Sequence, residues 1–489
     1  MGIVIKHSSW NLVVTGSGIL LGAVNVLLLA TTYLSEEIYG LWNYILSTSF
    51  LLFPLLSFGL HNTVVKYYSS FKTDRERDNF LTQILLWPAL GCLPIFGMVL
   101  LFQSKIEAFI SSTNQLTGDF LWPILWIALF QAYFEIFYAW TKVYLKTIEG
   151  NFLKEVFYRL AATVALILVA FDLISQIQFI NSLVLIYFLR MLLMGIIAWF
   201  TYAPRFLIYK LAAYKELIWY SALMIIAGSV SAALIDLDKN MLNQYVDLKN
   251  ISYYGVAGFI AAVIAVPSRG MAQIIHPLTA GFFNAGKMEK VEWLYKRSSL
   301  NLTIVSGWIM ILIFCNLNQF YDLLPPAFAA AMPVVFLISL IKFTENMLGS
   351  NNAILYNTNL YQFTLWLGLG LAVIAWALNI WLIPDYGLMG AAIATTVAFM
   401  VYAFAKAFYV HFKLKIHPWT RQTSITLLLI AVLVGIFYPW EFPWNVFVNI
   451  GVKSFLITAV FGGTVYYLKL STEVNDAIHS FLDKRKRLR

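Results

Sequence analysis

Charge is what this chain has least of. Of its 489 residues only 12% are Asp, Glu, Lys or Arg, against about 25% in soluble domains, and that excludes an ordinary soluble globule. Cysteine is scarcer still. Cys92 and Cys315 each lie inside an apolar run with no CxxC and no paired spacing, so they read as buried free thiols, and neither a disulfide framework nor a metal site is expected. Long outer loops are also missing. The longest expected on the outer side is roughly 15 residues, too short for the acceptor-holding domain of a membrane glycosyltransferase or polymerase, although Ser35-Glu36-Glu37 offers an acidic pair. Nor does a cleavable leader stand out: the first apolar stretch, Trp10 to Leu34, is long enough to span and lacks a small-residue cleavage site.

What the chain has is apolar length, with 61% hydrophobic residues. Runs near the ~20 residues that cross a hydrocarbon core occur at Trp10 to Leu34, Ile38 to Tyr68, Asn79 to Phe102, Phe120 to Leu145, Phe152 to Ile174 and Phe179 to Tyr202. A second six follow at Leu217 to Ile235, Ile251 to Phe283, Leu300 to Leu317, Phe328 to Leu348, Tyr361 to Ile383 and Leu388 to Val410, and two more at Gln422 to Tyr438 and Val446 to Leu468. The expectation is an all-α polytopic membrane protein of about fourteen spanning helices.

The net charge of +9 sets orientation and is no nucleic-acid patch, because the basic residues sit in short loops on one side. That side holds Lys66, Lys72, Arg75 and Arg77, then Lys142, Lys146 and Lys154, and further on Lys287, Lys290, Lys296 and Arg297; the other has only Lys105, Lys239, Lys249 and Lys453. Both termini are predicted cytoplasmic. In the tail, Val474, Ile478, Phe481 and Leu482 recur at helical spacing ahead of Lys484 to Arg487; an interfacial helix and a solvated stop-transfer tail are both open readings.

Helices two and eight superpose without a gap, Tyr39-Gly40 on Tyr254-Gly255 and His61 on His276, and helices one and seven through Gly18 and Gly228. Corresponding helices run the same way, which predicts a parallel repeat whose substrate site lies between the halves. The expected division is two six-helix lobes at 1–210 and 211–415, two extra helices at 416–470, and a basic tail at 471–489.

Ionisable residues deep in the apolar runs are few: Glu135, Arg190, Arg269, Lys342 and Glu345. An unpaired Arg at a helix centre costs about 2.5–3.5 kcal/mol on insertion scales, so such a residue faces protein or a wet cavity. Lys342 and Glu345 are three apart on one face, either a self-neutralising pair or a substrate contact. Glu135 and Arg190, opposite in charge and similar in depth, read as a structural or coupling pair. Arg269 has no acid at comparable depth in helices one, two or seven and stands between Pro267 and Pro277. It is the first candidate for binding an anionic substrate, with a structural contact to backbone carbonyls or Glu345 as the alternative. His61 and His276 read first as hydrogen-bonded packing residues and second as substrate contacts or proton relays. The aromatics Tyr133, Phe134, Phe137, Tyr138 and Trp140 read as packing before sugar stacking. No catalytic constellation is present.

Four stretches carry a family resemblance: IDLDKNML at Ile235 to Leu242, then YYGVAGFIAAVIAVPSRGMAQIIHP, YGLWNYILSTSFLLFPLLSFGLHNTVVKYY in the first lobe, and YGLMGAAIATTVAF at Tyr386 to Phe399. With them the chain resembles the multidrug/oligosaccharidyl-lipid/polysaccharide exporter superfamily, and within it the Wzx-like polysaccharide flippases. The resemblance implies two lobes in a V, a central cavity lined by helices one, two, seven and eight, alternating access, and no cofactor. Its implied cargo is a polyprenyl-diphosphate-linked oligosaccharide moved to the outer leaflet of a bacterial plasma membrane by a monomer, with Arg269 in the cavity. Related lipid II flippases carry several cationic residues in helices one and two. Here neither helix has one before Lys66, which argues against lipid II as cargo. Ion-coupled drug exporters place an acid within helix one or seven, whereas Glu36, Glu37 and Asp236 are expected only at outer ends; a small-molecule exporter is the alternative reading.

Overall fold

The computed structural model describes residues 2–209, 214–358 and 361–476. Most of the basic tail, including Ile478, Phe481, Leu482 and Lys484 to Arg487, lies outside the described residues. Among those described the chain is helical without a strand, the expected all-α membrane class. Among the described residues ten helices are long and apolar enough to cross a membrane. One of these covers two of the stretches predicted above: the run Tyr361–Leu414 is interrupted at Gly387, whose φ of 52° and ψ of −125° lie outside the helical region and suit glycine.

Two compact units emerge, Met1–Gly255 with Trp376–Ala391, and Val256–Ala375 with Ala392–Arg489. Unit 1 contains α1 (Gly2–Ala23), α2 (Glu36–Leu56), α3 (Leu60–Tyr67), α4 (Asp74–Leu101), α5 (Leu121–Val143), α6 (Tyr158–Ala170), α7 (Gln176–Thr201), α8 (Tyr214–Tyr245) and the start of α9 (Leu248–Ala262). Its centre is α5, which packs on α2, α3 and α7, while α8 lies along α2 and α3. Trp140 of α5 is 1% exposed among Leu60, Val64, Phe80, Leu81, Ile84 and Leu217. Thr73 and Glu76 form a reciprocal cap that starts α4, as Ser175 and Gln178 do for α7.

Two further helices of unit 1 depart from the sequence reading. The second, expected unbroken from Ile38 to Tyr68, divides after Pro54 where Phe58 and Gly59 take φ of 50° and 64°. A Cβ on Gly59 would stand 2.6 Å from the Ser221 carbonyl of α8, so the break coincides with a close backbone approach that glycine permits. The seventh, expected to end at Ile235 before a charged loop, continues to Tyr245. Its charges are answered inside the fold: Lys239 Nζ lies 3.4 Å from Asp236 Oδ1 one turn away, the Tyr254 hydroxyl donates to the Asp238 carboxylate, and Asn379 Nδ2 donates to Asp238 Oδ1 at 3.1 Å. With partners in reach the helix has no reason to stop at its first acid.

Unit 2 contains the rest of α9, α10 (Val266–Asn284), α11 (Met288–Cys315), α12 (Leu317–Asp322), α13 (Met332–Met347), α14 (Asn351–Tyr356), most of α15 (Tyr361–Leu414), α16 (Arg421–Phe437) and α17 (Val446–Tyr467). Here α11 is central, packing on α10, α13, α16 and α17. Between α9 and α10 the helix tightens into a 3₁₀ turn, Val263–Ala265, just before Pro267. Asn346 of α13, 1% exposed, donates to the Ile264 carbonyl there at 2.6 Å, meeting the demand that an irregular backbone in an apolar bundle be satisfied by protein.

Candidate functional site

Within unit 1 the apolar bundle encloses one chain of polar contacts. Glu135 of α5 sits 7% exposed, and its Oε1 accepts from Lys154 Nζ at 2.7 Å and from Gln131 Nε2 at 3.2 Å. Gln131, one turn earlier, accepts at its own Oε1 from Arg190 Nη1 of α7 at 2.9 Å. The expected Glu135–Arg190 pair is therefore not a direct ion pair: an amide stands between them and the carboxylate takes Lys154 instead. Arg190, 3% exposed, rests its guanidinium 3.9 Å from the ring centre of Phe134 and 5.5 Å from that of Tyr187. Cation–π contact of this kind is worth up to ~2 kcal/mol when desolvated. Its Nε has no partner.

Why Lys154 reaches inward is local. It belongs to a π-helical turn, Leu153–Phe157, between the short helix Ile148–Phe152 and α6, and such widened turns often mark functional positions. A second π-helical turn, Val24–Leu29, follows α1. Between the two regions Asn25 Nδ2 donates to the Arg159 carbonyl at 2.8 Å and Thr163 Oγ1 donates to Asn25 Oδ1 at 2.7 Å. Sequence reasoning counted Lys154 among cytoplasmic loop lysines and did not single out Gln131. An opposite charge nineteen positions downstream, beyond a predicted loop, gives no periodic signal.

One further cation and an imidazole lie near the carboxylate. Lys142 lies one helical face along α5, its Nζ 3.9 Å from the Tyr138 ring centre. His61 of α3 feels the charges of Glu135, Lys142 and Lys154, pairs with Asn62 at 3.0 Å and packs on Phe53, while its Nδ1 is buried without a partner. Of the aromatic cluster, Phe134, Tyr138 and Trp140 are buried. All three are packed in the core, and Phe134 and Tyr138 also carry Arg190 and Lys142 on their rings.

The candidates in unit 2 are not brought together in the same way. Arg269 is exposed near the start of α10 and His276 is half-buried two turns on, and neither has a hydrogen bond or ion pair among the described residues. Lys342 and Glu345, both half-buried on α13, make no ion pair with each other. Spacing permits that pair, but Glu345 interacts electrostatically with Lys406 of α15 and with Tyr356 and Tyr402. Lys406, 4% exposed, donates to Asn352 Oδ1 at 2.9 Å and lies 4.2 Å from the Tyr402 ring centre. No group of three or more His, Cys, Asp or Glu side chains among the described residues is arranged to hold a metal ion.

Chemically, the site offers charge without a nucleophile–base constellation. A family model described as polysaccharide biosynthesis protein matches residues 4–283. No curated protein matches the sequence. Among solved structures the chain is similar to a lipid II flippase, MurJ, in an inward closed conformation, at 15% identity with a TM-score of 0.70, over 96% of this chain and 100% of that one. It is also similar to an inward-facing multidrug resistance MATE family transporter of the MOP superfamily, at 13% identity and a TM-score of 0.60, over 81% of this chain and 98% of the other. A further match is a MOP superfamily transporter from Pyrococcus furiosus, 13% identical with a TM-score of 0.56, over 84% and 95%. These neighbours are described as a flippase and transporters, and this chain shares their fold.

Proposed function

Because the chain belongs to the polysaccharide biosynthesis protein family, we propose that it is a flippase which carries a polyprenyl-diphosphate-linked oligosaccharide from the cytoplasmic to the outer leaflet of a bacterial inner membrane by alternating access. In this reading both termini are cytoplasmic, as the one-sided Lys and Arg distribution suggests, and the monomer suffices. The observation that supports it most is the surplus of positive charge within unit 1, where Lys154, Lys142, Arg190 and Arg159 outnumber Glu135 and Glu155. Charges inside an apolar bundle are costly and mark transport routes by default. The surplus suits a diphosphate, and Gln131 and Glu135 hold the cations in place while the site is empty. Arg269, exposed and unpaired on a span that is otherwise apolar, adds a guanidinium whose fork geometry matches phosphate oxygens. His61, His276, Lys342 and Glu345 are the further proposed cargo contacts.

One observation favours the small-molecule exporter as a second reading: Asp236 and Asp238 lie inside α8, whereas the sequence placed them at the outer end of the seventh helix and in the loop beyond it. Removing the protein from its native cell separates the two. Under the flippase reading, lipid-linked oligosaccharide accumulates on the cytoplasmic leaflet; an unchanged leaflet distribution together with drug hypersensitivity overturns it.

A further inference from the structure

In unit 1, α4, α5 and α7 leave an apolar groove of about 520 Å³ lined by Leu85, Phe137, Trp140, Met191, Gly195 and Phe200 among others. Its depth comes from Gly195, where a Cβ would already stand 3.2 Å from the Phe137 ring. Its walls are exposed: Leu192 and Ile196 at 43% and Phe200 at 83%. From Met191 to Phe200 the groove follows α7 for roughly 13 Å at 1.5 Å per residue, close to the ~15 Å thickness of one leaflet of the hydrocarbon core. At the end marked by Phe200 the next residue, Thr201, receives a hydrogen bond from Lys146 Nζ at 3.4 Å, and Arg205 follows, exposed. Neither cation has an acidic partner among the described residues.

We propose that this groove is a binding site for one acyl chain of an anionic glycerophospholipid whose phosphate is held by Lys146 and Arg205. The shape is that of an amphiphile, an apolar slot with a cationic end, and the basic end lies on the side rich in Lys and Arg, where anionic headgroups are attracted by ~1 kcal/mol per basic residue. The length favours a leaflet-long fatty acyl chain over a polyprenyl tail, which is several times longer than the slot. Occupation by such a lipid fixes the contact of α7 with α5, the two helices that carry Arg190 and Gln131.

The test uses the full chain in nanodiscs that mix phosphatidylglycerol and phosphatidylcholine, with retained lipid identified by native mass spectrometry. One phosphatidylglycerol is expected to stay bound in preference to phosphatidylcholine. Lys146→Gln should cut that preference about fivefold, the equivalent of losing one cation, and Ile196→Trp, at an exposed wall position, should expel the lipid whatever its headgroup. Equal retention of the two lipids, or a preference untouched by Lys146→Gln, overturns the headgroup assignment. Displacement of phosphatidylglycerol by one equivalent of polyprenyl phosphate overturns the choice of lipid.

Discussion

The two units handle intramembrane charge in opposite ways. In unit 1 Glu135 is in contact with Lys154 at 2.7 Å and joined through Gln131 to Arg190, so acid and cations form one connected body. In unit 2 Glu345 makes no ion pair, Lys406 is held by the Asn352 amide oxygen, and Arg269 has no polar partner among the described residues. A connected network resists the loss of any member because each leaves a buried charge behind, whereas a set of separate charges does not. Charge in unit 1 is thus tied to the helix packing, whereas Arg269 in unit 2 is held by no polar partner among the described residues.

The sharpest way to break this contrast is to remove one acid from each unit. Glu135→Ala should cost about 2–3 kcal/mol, less than a fully buried pair because Lys154 keeps 40% side-chain exposure, while Glu345→Ala, which breaks no direct ion pair and removes only its longer-range attraction for Lys406, should cost about 1 kcal/mol; thermal unfolding in nanodiscs measures both. Equal losses would dissolve the distinction. Exchanging the charges as Glu135→Lys with Lys154→Glu should recover much of what either single change loses, and a swap no better than its parts would remove the pair from the account. Next in size is Gly59→Ala, expected to cost about 1–3 kcal/mol because the position is left-handed and abuts the Ser221 carbonyl. Gln131→Leu, which cuts the amide bridge between Glu135 and Arg190, should cost about 1–3 kcal/mol in the same assay; a neutral result would show that the guanidinium needs only its rings.

The helices were legible because a twenty-residue apolar run has few alternatives, and the all-helical class follows from that alone. The break at Phe58 was not, since it depends on how near α8 comes rather than on the residues flanking it. Likewise Asp236, Asp238 and Lys239 read as a loop because a cluster of charges normally ends a span; side chains such as Tyr254 and Asn379, sixteen and 141 positions away from Asp238, make the longer helix tolerable. Arg190 and Glu135 were found by depth and sign, yet the partner each takes was decided by helix rotation and by the widened turn that turns Lys154 inward. Loop lysines counted for orientation are poor candidates for burial, and this one is only partly so, at 40% side-chain exposure.

On the unit 2 side, Arg269→Ala should leave the unfolding temperature unchanged and reduce export of lipid-linked oligosaccharide severalfold; full export by that variant would take the guanidinium out of the transport route. The smallest effect expected is electrostatic and lies outside the bundle. Burial pushes the Glu473 carboxyl up, but the Arg297 guanidinium and nearby hydrogen bonds outweigh it and hold the carboxyl below its ordinary value. A lowered folded-state value stabilises above the unfolded pKa of 4.5 and is lost as pH falls through the folded one. Both groups are partly exposed, so acidification from pH 6 to below 4 should narrow the stability gap between wild type and Glu473→Gln by less than about 1 kcal/mol. A gap independent of pH would mean that the ion pair does not persist in solution.

The most direct test reconstitutes the purified chain into liposomes with a fluorescent polyprenyl-diphosphate oligosaccharide and follows access of a membrane-impermeant quencher or glycosidase to the label. The flippase reading predicts that wild type moves the labelled sugar between leaflets and that Arg269→Ala, still folded, is slowed severalfold. A wild-type protein that leaves the labelled lipid on its original leaflet, while transporting a small cationic drug, would contradict it.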